Sequence, residues 1–218
     1  MEIQTQLAAV RQSVREQMPP DLFAQLEQEA ENLVNSGIAN QSLKSSDRAP
    51  DFELPNQVGM LVRSQDILAQ GPMVLAFKRG SWCPYCNVSL GGLQMALPAI
   101  QELGAQVVSI SPQVTPWRAG DDPLPFEMLR DRGNRVARQF GLVFRMASEL
   151  RPVYEQRGVI LPRYNGDESF ELPITATYII NSGGTIVYDF VNADYSQRPD
   201  PVEIITQLRQ VQAAKPIG

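Results

Sequence analysis

The stretch Trp82-Cys83-Pro84-Tyr85-Cys86 contains the two cysteines of this 218-residue chain. An apolar run, residues 73–77, precedes it and predicts a buried strand, while residues 88–100 after it predict a helix. A Cys-x-x-Cys at such a junction places the first sulfur near helix amide groups and the positive end of the helix dipole, which favour a thiolate. Because the thiolate is the nucleophile in disulfide exchange and in attack on peroxides, the motif predicts a redox-active dithiol.

Composition disfavours a purely structural role for the two cysteines. Structural disulfides are typical of small secreted domains, whereas 218 residues can bury a core of their own. The chain has no histidine, so a zinc site would need a second half from another protomer, and we expect no metal. Without histidine, activation of Cys83 must come from the helix end, from Lys78 or Arg79, or from another arginine. We expect Cys83 to have a lowered pKa and to be the more exposed sulfur, with Cys86 deeper in the helix.

The overall charge argues against two classes of partner. The formal net charge is -5 and the pI is about 4.9, so no basic face is available for nucleic acid. No apolar run approaches the length of a membrane span, and the N-terminus lacks a basic region followed by an apolar stretch. We therefore expect a cytoplasmic protein that binds neither nucleic acid nor a membrane.

Two amphipathic helices are predicted at the start of the chain. Apolar residues fall at helical spacing between Ile3 and Val14, and Pro19-Pro20 ends that segment. A second helix is predicted from Asp21, as N-cap, to Gly37, followed by a polar linker over residues 40–46. We expect these helices to pack on the main domain or on a second protomer. The predicted division is an N-terminal helical extension, residues 1–44, and a main domain, residues 45–218.

Strands and helices alternate along the predicted main domain, which indicates an α/β sandwich with a mixed sheet. A turn at residues 181–184, Asn-Ser-Gly-Gly, predicts a hairpin, and a proline-rich loop is predicted over residues 112–125. The predicted strands cover residues 52–54, 60–63, 73–78, 106–111, 126–129, 178–180 and 185–190; the predicted helices cover residues 64–69, 88–100, 134–140, 150–156 and 201–213.

Several segments together resemble one known family. Residues 49–54 (Ala-Pro-Asp-Phe-Glu-Leu) are similar to the opening motif of peroxiredoxins, and residues 77–86 are similar to the redox segment of the peroxiredoxin-like branch of the alkyl hydroperoxide reductase/thiol-specific antioxidant superfamily. Residues 109–113, 194–195 and 198–199 also resemble that branch. The resemblance covers about residues 45–213. It implies a thioredoxin-like, peroxiredoxin-type three-layer sandwich with a mixed central sheet and an insertion between the central helix and the hairpin.

The resemblance also implies a function. Cys83 would attack hydroperoxides and Cys86 would be the resolving cysteine of a thiol-based antioxidant oxidoreductase, with the Cys83–Cys86 disulfide in place of any cofactor. A thiol such as thioredoxin, glutaredoxin or glutathione would reduce that disulfide, and the protein would be a homodimer. Two alternatives stay open: a general thiol-disulfide oxidoreductase, since glutaredoxins also have Cys-Pro-Tyr-Cys, and a non-enzymatic dithiol redox sensor.

The chain departs from the peroxiredoxin pattern Pro-x-x-x-Thr-x-x-Cys, because Ala76 and Gly80 stand where the proline and threonine belong. Ser81 is the neighbour that could replace the threonine hydroxyl. The remaining candidates for substrate binding or activation are the arginines expected near the reactive cysteine, Arg79 and Arg198; the apolar rim, Trp82 and Tyr85; and the position expected to face the dithiol, Thr175.

Overall fold

The computed structural model describes residues 3–116 and 124–213. Residues 117–123 of the predicted proline-rich loop lie outside this description. The strands are β1 Glu53–Pro55, β2 Leu61–Arg63, β3 Met73–Phe77, β4 Gln106–Ser111, β5 Glu127–Arg130, β6 Val143–Arg145, β7 Glu171–Pro173, β8 Thr175–Ile180 and β9 Ile186–Asn192. The α-helices are α1 Ile3–Glu16, α2 Pro20–Asn35, α3 Ser64–Leu68, α4 Pro84–Glu102, α5 Arg135–Gln139, α6 Arg151–Gln156, α7 Leu161–Asn165 and α8 Pro201–Ala213.

The central sheet has five strands in the order β5-β4-β3-β8-β9. Strand β3 pairs in parallel with β4 and antiparallel with β8, so the mixed sheet expected from the sequence is confirmed. All five residues of β3 are buried. Such a continuous apolar run is typical of a strand that is covered on both faces.

Two hydrophobic clusters fill the space on either side of this sheet. Leu75 and Phe77 pack on one face together with residues of α5, such as Val136. Val74 and Ala76 point to the other face and pack against α4 and α8. The layers are therefore helix, sheet and helix, as predicted, and β3 leads from the middle of the core directly into the Cys-x-x-Cys segment.

The N-terminal helices form as predicted, with corrections at their ends. Helix α2 begins at Pro20 with Pro19 in the N-cap position, so the assignment of Asp21 as N-cap was wrong; Asp21 lies in the first turn. The segment predicted as a linker overlaps a 3₁₀ helix, Ile38–Gln41, and is partly buried. Both helices pack on their own chain, as one of the two sequence alternatives expected. The division at residue 44 stays a prediction.

The insertion contains elements that the sequence analysis missed. Strands β6 and β7, which pair antiparallel, and helix α7 have only three to five residues each, too few for a periodic pattern. With α2 they enclose a separate apolar cluster that includes Leu26, Leu150 and Leu172. Nowhere in the described ranges is a helix long and apolar enough to cross a membrane.

Candidate active site

The two cysteines lie at the N-terminus of helix α4. Cys83 is the N-cap residue, and Pro84 occupies the first helical position, where its missing N–H costs no hydrogen bond. Cys86 follows in the first turn. Both are free thiols, 3.0 Å apart. The strand-to-helix placement predicted from the sequence is confirmed.

The loop before Cys83 is shaped by close packing at Gly80. A Cβ atom there would lie 2.4 Å from Trp82 Nε1 and 3.1 Å from Gln113 Oε1, and the positive φ of 158° is itself unfavourable for other residues. A threonine cannot occupy this position without moving the indole. The amide N–H of Ser81 donates to Gln113 Oε1 at 2.7 Å, which fixes the loop. Gln113 belongs to the segment 109–113 that resembles the family, but its contact with this loop could not be predicted from the sequence.

Both sulfur-bearing residues are buried. Cys83 is 0% exposed and Cys86 is 1% exposed, so the expectation that Cys83 would be the more exposed one was wrong. Ile3 and Leu7 of α1, together with Tyr85, form one apolar cluster with the two cysteines. Since α1 is about eighty residues away along the sequence, the periodicity of α4 alone could not indicate this cover.

Each cysteine has its own arginine. Arg79 Nη2 donates a hydrogen bond to Cys83 Sγ at 3.2 Å, and Arg198 Nη2 donates to Cys86 Sγ at 3.4 Å. Arg198 Nη1 also donates to the carbonyl oxygen of Tyr195 at 2.8 Å. Both guanidinium groups are buried. The structure therefore brings together four of the predicted site residues, with both expected arginines against sulfur.

Aromatic rings hold the guanidinium of Arg79 in place. Its Cζ lies 5.3 Å from the centre of the Trp82 ring and 4.6 Å from that of Tyr195, within the range of cation–π contacts. Arg79 Nη1 donates to the hydroxyl of Tyr154 at 3.3 Å. Tyr154 and Tyr195 were missed as site residues, because their distance along the chain from Cys83 concealed the contact.

The two thiols do not ionise alike. Burial, and then the hydrogen bond that Cys83 donates to Cys86, raise the pKa of Cys83 well above its ordinary value. Burial opposes ionisation of Cys86 too, but that same hydrogen bond and the charges of Arg198 and Arg79 hold the pKa of Cys86 well below its ordinary value. The expectation of a lowered pKa at Cys83 is therefore wrong for the reduced pair. The two thiols titrate as a pair, and when the pair holds one proton, its transfer across the hydrogen bond moves the thiolate to Cys83.

Lys78 is a third buried cationic residue at this end of β3. Burial lowers the pKa of its amine to about 7, although the nearby Cys86 and Cys83 raise it. The folded-state pKa is thus below the ordinary value of 10.5. Below about pH 7 the folded protein must hold a buried charge, and between about pH 7 and 10 the unfolded chain binds more protons than the folded one.

We expect Lys78→Met to be more stable than the wild type at about pH 6, by roughly 3–5 kcal/mol. The difference should shrink as the pH rises through the window from about 7 to 10, because the buried amine is then neutral in the wild type. Urea unfolding of both proteins at several pH values would measure it. A stability difference that is constant with pH would contradict the expectation.

Two further candidates, Ser81 and Thr175, make no hydrogen bond to sulfur among the described residues. Ser81 is held through its backbone, since its carbonyl oxygen accepts from Asn87 Nδ2 at 2.9 Å. Thr175 begins β8, one residue before the Phe77–Ala176 pair, and its buried hydroxyl has no hydrogen-bond partner among the described residues. In residues 3–116 and 124–213, no cluster of three or more metal-ligating side chains occurs.

A cavity of about 310 Å³ adjoins the arginine that contacts Cys83. Aromatic and apolar side chains dominate its lining, and two arginines, Arg79 and Arg157, supply positive charge. Trp82, Tyr85 and Tyr195 form part of the wall, so the apolar rim predicted from Trp82 and Tyr85 borders this cavity. A small molecule bound here would lie against the guanidinium that touches the Cys83 sulfur.

Comparison with known proteins identifies relatives of this fold. A family model described as the AhpC/TSA family matches residues 46–189. The chain is 32% identical over 103 residues to Peroxiredoxin Bcp of Escherichia coli K12, covering 46% of this chain and 65% of that relative, thus less than two thirds of its length. Peroxidoxin BcpB of Mycobacterium tuberculosis superposes with a TM-score of 0.58 at 21% identity, over 78% of this chain and 98% of that one. A mutant of peroxiredoxin 6 of Arenicola marina superposes with a TM-score of 0.61 at 15% identity, over 79% of this chain and 76% of that one. The expected thioredoxin-like fold of peroxiredoxin type is confirmed.

Proposed function

Because the chain belongs to the AhpC/TSA family, we propose that it is a thiol-dependent peroxidase in which Cys83 attacks hydroperoxides and Cys86 resolves the product. One observation carries the proposal: a buried guanidinium, Arg79, donates to the Cys83 sulfur while a second thiol lies 3.0 Å away. The cation stabilises the attacking thiolate, and the neighbouring thiol is in place for the next step.

The reaction uses the one proton that the reduced pair holds. That proton moves to Cys86, and the Cys83 thiolate attacks the peroxide oxygen and breaks the O–O bond. The departing alkoxide takes the proton from Cys86 and leaves as an alcohol, or as water from hydrogen peroxide. The Cys86 thiolate then attacks the sulfenic sulfur of Cys83, a disulfide forms and hydroxide leaves. Two electrons from an external thiol donor later return the disulfide to two thiols.

The other candidates have supporting roles in this proposal. Arg79 orients the peroxide as well as the thiolate, since its planar group offers several donors. The indole N–H of Trp82 is buried without a hydrogen-bond partner among the described residues and lies where a side chain at Gly80 would be. We assign it as the second donor to the peroxide, in place of the missing threonine hydroxyl. Ser81 holds the loop, and Arg198 stabilises the Cys86 thiolate that forms when the alkoxide takes its proton.

The same geometry ranks the alternatives. A general thiol-disulfide oxidoreductase must bring a substrate disulfide into line with its nucleophile, and two cysteines exposed by no more than 1% argue against protein disulfides as substrates. A redox sensor requires no such access and remains the second candidate. The absence of any cofactor, the cytoplasmic location and the homodimer stay predictions.

Stopped-flow mixing of the reduced protein with hydrogen peroxide would test the function. We expect a rapid change in tryptophan fluorescence, because Trp82 contacts the arginine on Cys83. A Cys83→Ser variant controls for effects of peroxide elsewhere, including on Trp117. Slow oxidation of the wild type, together with fast exchange against a mixed disulfide, would instead support the thiol-disulfide oxidoreductase.

A further inference from the structure

The cysteine pair lies under a helix that comes from the start of the chain. Ile3 and Leu7 of α1 are 5% and 4% exposed, and they pack in one cluster with Cys83, Tyr85 and Cys86. We call these two side chains the roof. The opposite face of α1 is open to solvent, including Ala8 and Ala9. The roof therefore contributes to the burial of the cysteines.

Side-chain contacts secure α1 over the site. Gln4 Nε2 donates to the carbonyl oxygen of Arg198 at 3.0 Å, next to the guanidinium that contacts Cys86. Arg11 pairs with Glu27 of α2. A Cβ atom at Gly92 of α4 would lie 3.3 Å from Ile3 Cδ1, so the absence of a side chain there makes room for the roof. Ile3 and Leu7 are the buried residues of α1, and an element with so few buried anchors is among the first to open locally.

Small and large molecules meet different obstacles at this site. The cavity of about 310 Å³ reaches Arg79 while α1 stays in place, and Arg79 and Arg157 give it positive charge. A volume of this size is at the lower end for small-molecule pockets. A protein thiol, by contrast, must bring its polypeptide along with its sulfur, and Ile3 and Leu7 belong to the cluster in which the pair is buried.

We propose that Ile3 and Leu7 determine which reductant the enzyme uses, admitting a small anionic thiol of glutathione size and excluding protein dithiols of thioredoxin size. This inference rests on the proposed function, in which a Cys83–Cys86 disulfide is the oxidised form. The donor thiolate attacks one sulfur, forms a mixed disulfide and releases the other cysteine as a thiolate. A second donor thiolate attacks the donor sulfur, so two electrons pass to the cysteines and the donor leaves as its disulfide.

The test compares two full-length variants that differ only in the face of α1. Leu7→Gln removes a roof contact, and Ala8→Gln makes a similar change on the exposed face. Each protein is oxidised, and its reduction by purified thioredoxin and by glutathione is followed by tryptophan fluorescence. We expect Leu7→Gln to accelerate reduction by thioredoxin by about tenfold or more, because α1 has moved away from the cysteines in a larger fraction of the molecules. Reduction by glutathione should change less than about threefold, and Ala8→Gln should match the wild type.

A second measurement tests the roof independently of the proposed peroxidase function. The reduced proteins are treated with iodoacetamide and with a polyethylene-glycol maleimide of protein size, without any peroxide. We expect the large reagent, relative to the small one, to label Leu7→Gln faster than the wild type. The proposal would be overturned if the labelling rate of the large reagent relative to the small one were the same in Leu7→Gln and the wild type. It would also be overturned if thioredoxin reduced the wild type as fast as Leu7→Gln. Ile3→Gln serves as the second roof variant if Leu7→Gln fails to fold by circular dichroism. If the wild-type cysteines were protected from the large reagent but did not react with peroxide, only the proposed peroxidase function would be rejected.

Discussion

Cys83→Ser is expected to abolish peroxide consumption, whereas Cys86→Ser is expected to react once and then overoxidise. The reason is the unequal position of the two sulfurs: Cys83 contacts Arg79, which lines the cavity, whereas Cys86 contacts Arg198, which does not line it. Without Cys86, the sulfenic acid on Cys83 has no thiol 3.0 Å away to condense with. Further peroxide then carries it to the sulfinic and sulfonic acids.

Peptide mass spectrometry across a peroxide titration would measure these products. In the wild type we expect loss of two hydrogens within one chain and little sulfinic acid, because resolution needs no rearrangement of the backbone. Cys83→Ser is the matched control, since it leaves Cys86 and both arginines in place. If the wild type overoxidised as readily as Cys86→Ser, Cys86 would not be the resolving residue. A predominantly disulfide-linked dimer would also contradict the mechanism.

Arg79→Met is expected to slow oxidation of Cys83 by roughly 10²-fold, the usual effect of losing one well-placed donor to a reacting charge. The substitution removes the hydrogen bond to the Cys83 sulfur and a cation that lowers the pKa of Cys86. The first ionisation of the pair should therefore shift to higher pH. Thiolate absorbance against pH and the stopped-flow rate constant would measure the two effects separately.

Three further variants separate the contribution of Arg79 from those of the other two arginines. Arg157→Met removes a charge from the same cavity without touching sulfur and should leave the rate within a few-fold of wild type. Arg79→Lys keeps the charge but loses the planar group between Trp82 and Tyr195, so it should restore the rate only in part. Arg198→Met should slow resolution more than oxidation, because that arginine contacts Cys86. Equal oxidation rates in Arg79→Met and the wild type would reject the assigned role.

Local sequence patterns were enough to predict that the central strands and the long helices exist, although the first three residues of β8 were not predicted as strand. The apolar run of β3, the alternation that forms the mixed sheet and the helical spacing of α1 each reflect contacts within a few residues or burial on both faces. The position of Cys83 at the start of α4 follows from the same logic, because Cys-x-x-Cys came between a strand and a helix. Short elements such as β6 and β7 have too few residues to show a hydrophobic period, so they could not be predicted.

The sequence by itself determined the chemistry that is available here: two thiols one helical turn apart, no histidine to activate them, and arginines as the remaining cations. Tertiary structure decided which groups meet. It placed Arg198 on Cys86 across 112 residues of chain, enclosed Arg79 between aromatic rings, and packed Ile3 and Leu7 into one cluster with both cysteines. Burial and proton sharing depend on such long-range packing, since the pKa of a thiol responds to every charge and apolar group around it. That is why the spacing identified the cysteines, whereas only the fold revealed that both are covered, that they share a hydrogen bond and that each contacts its own arginine.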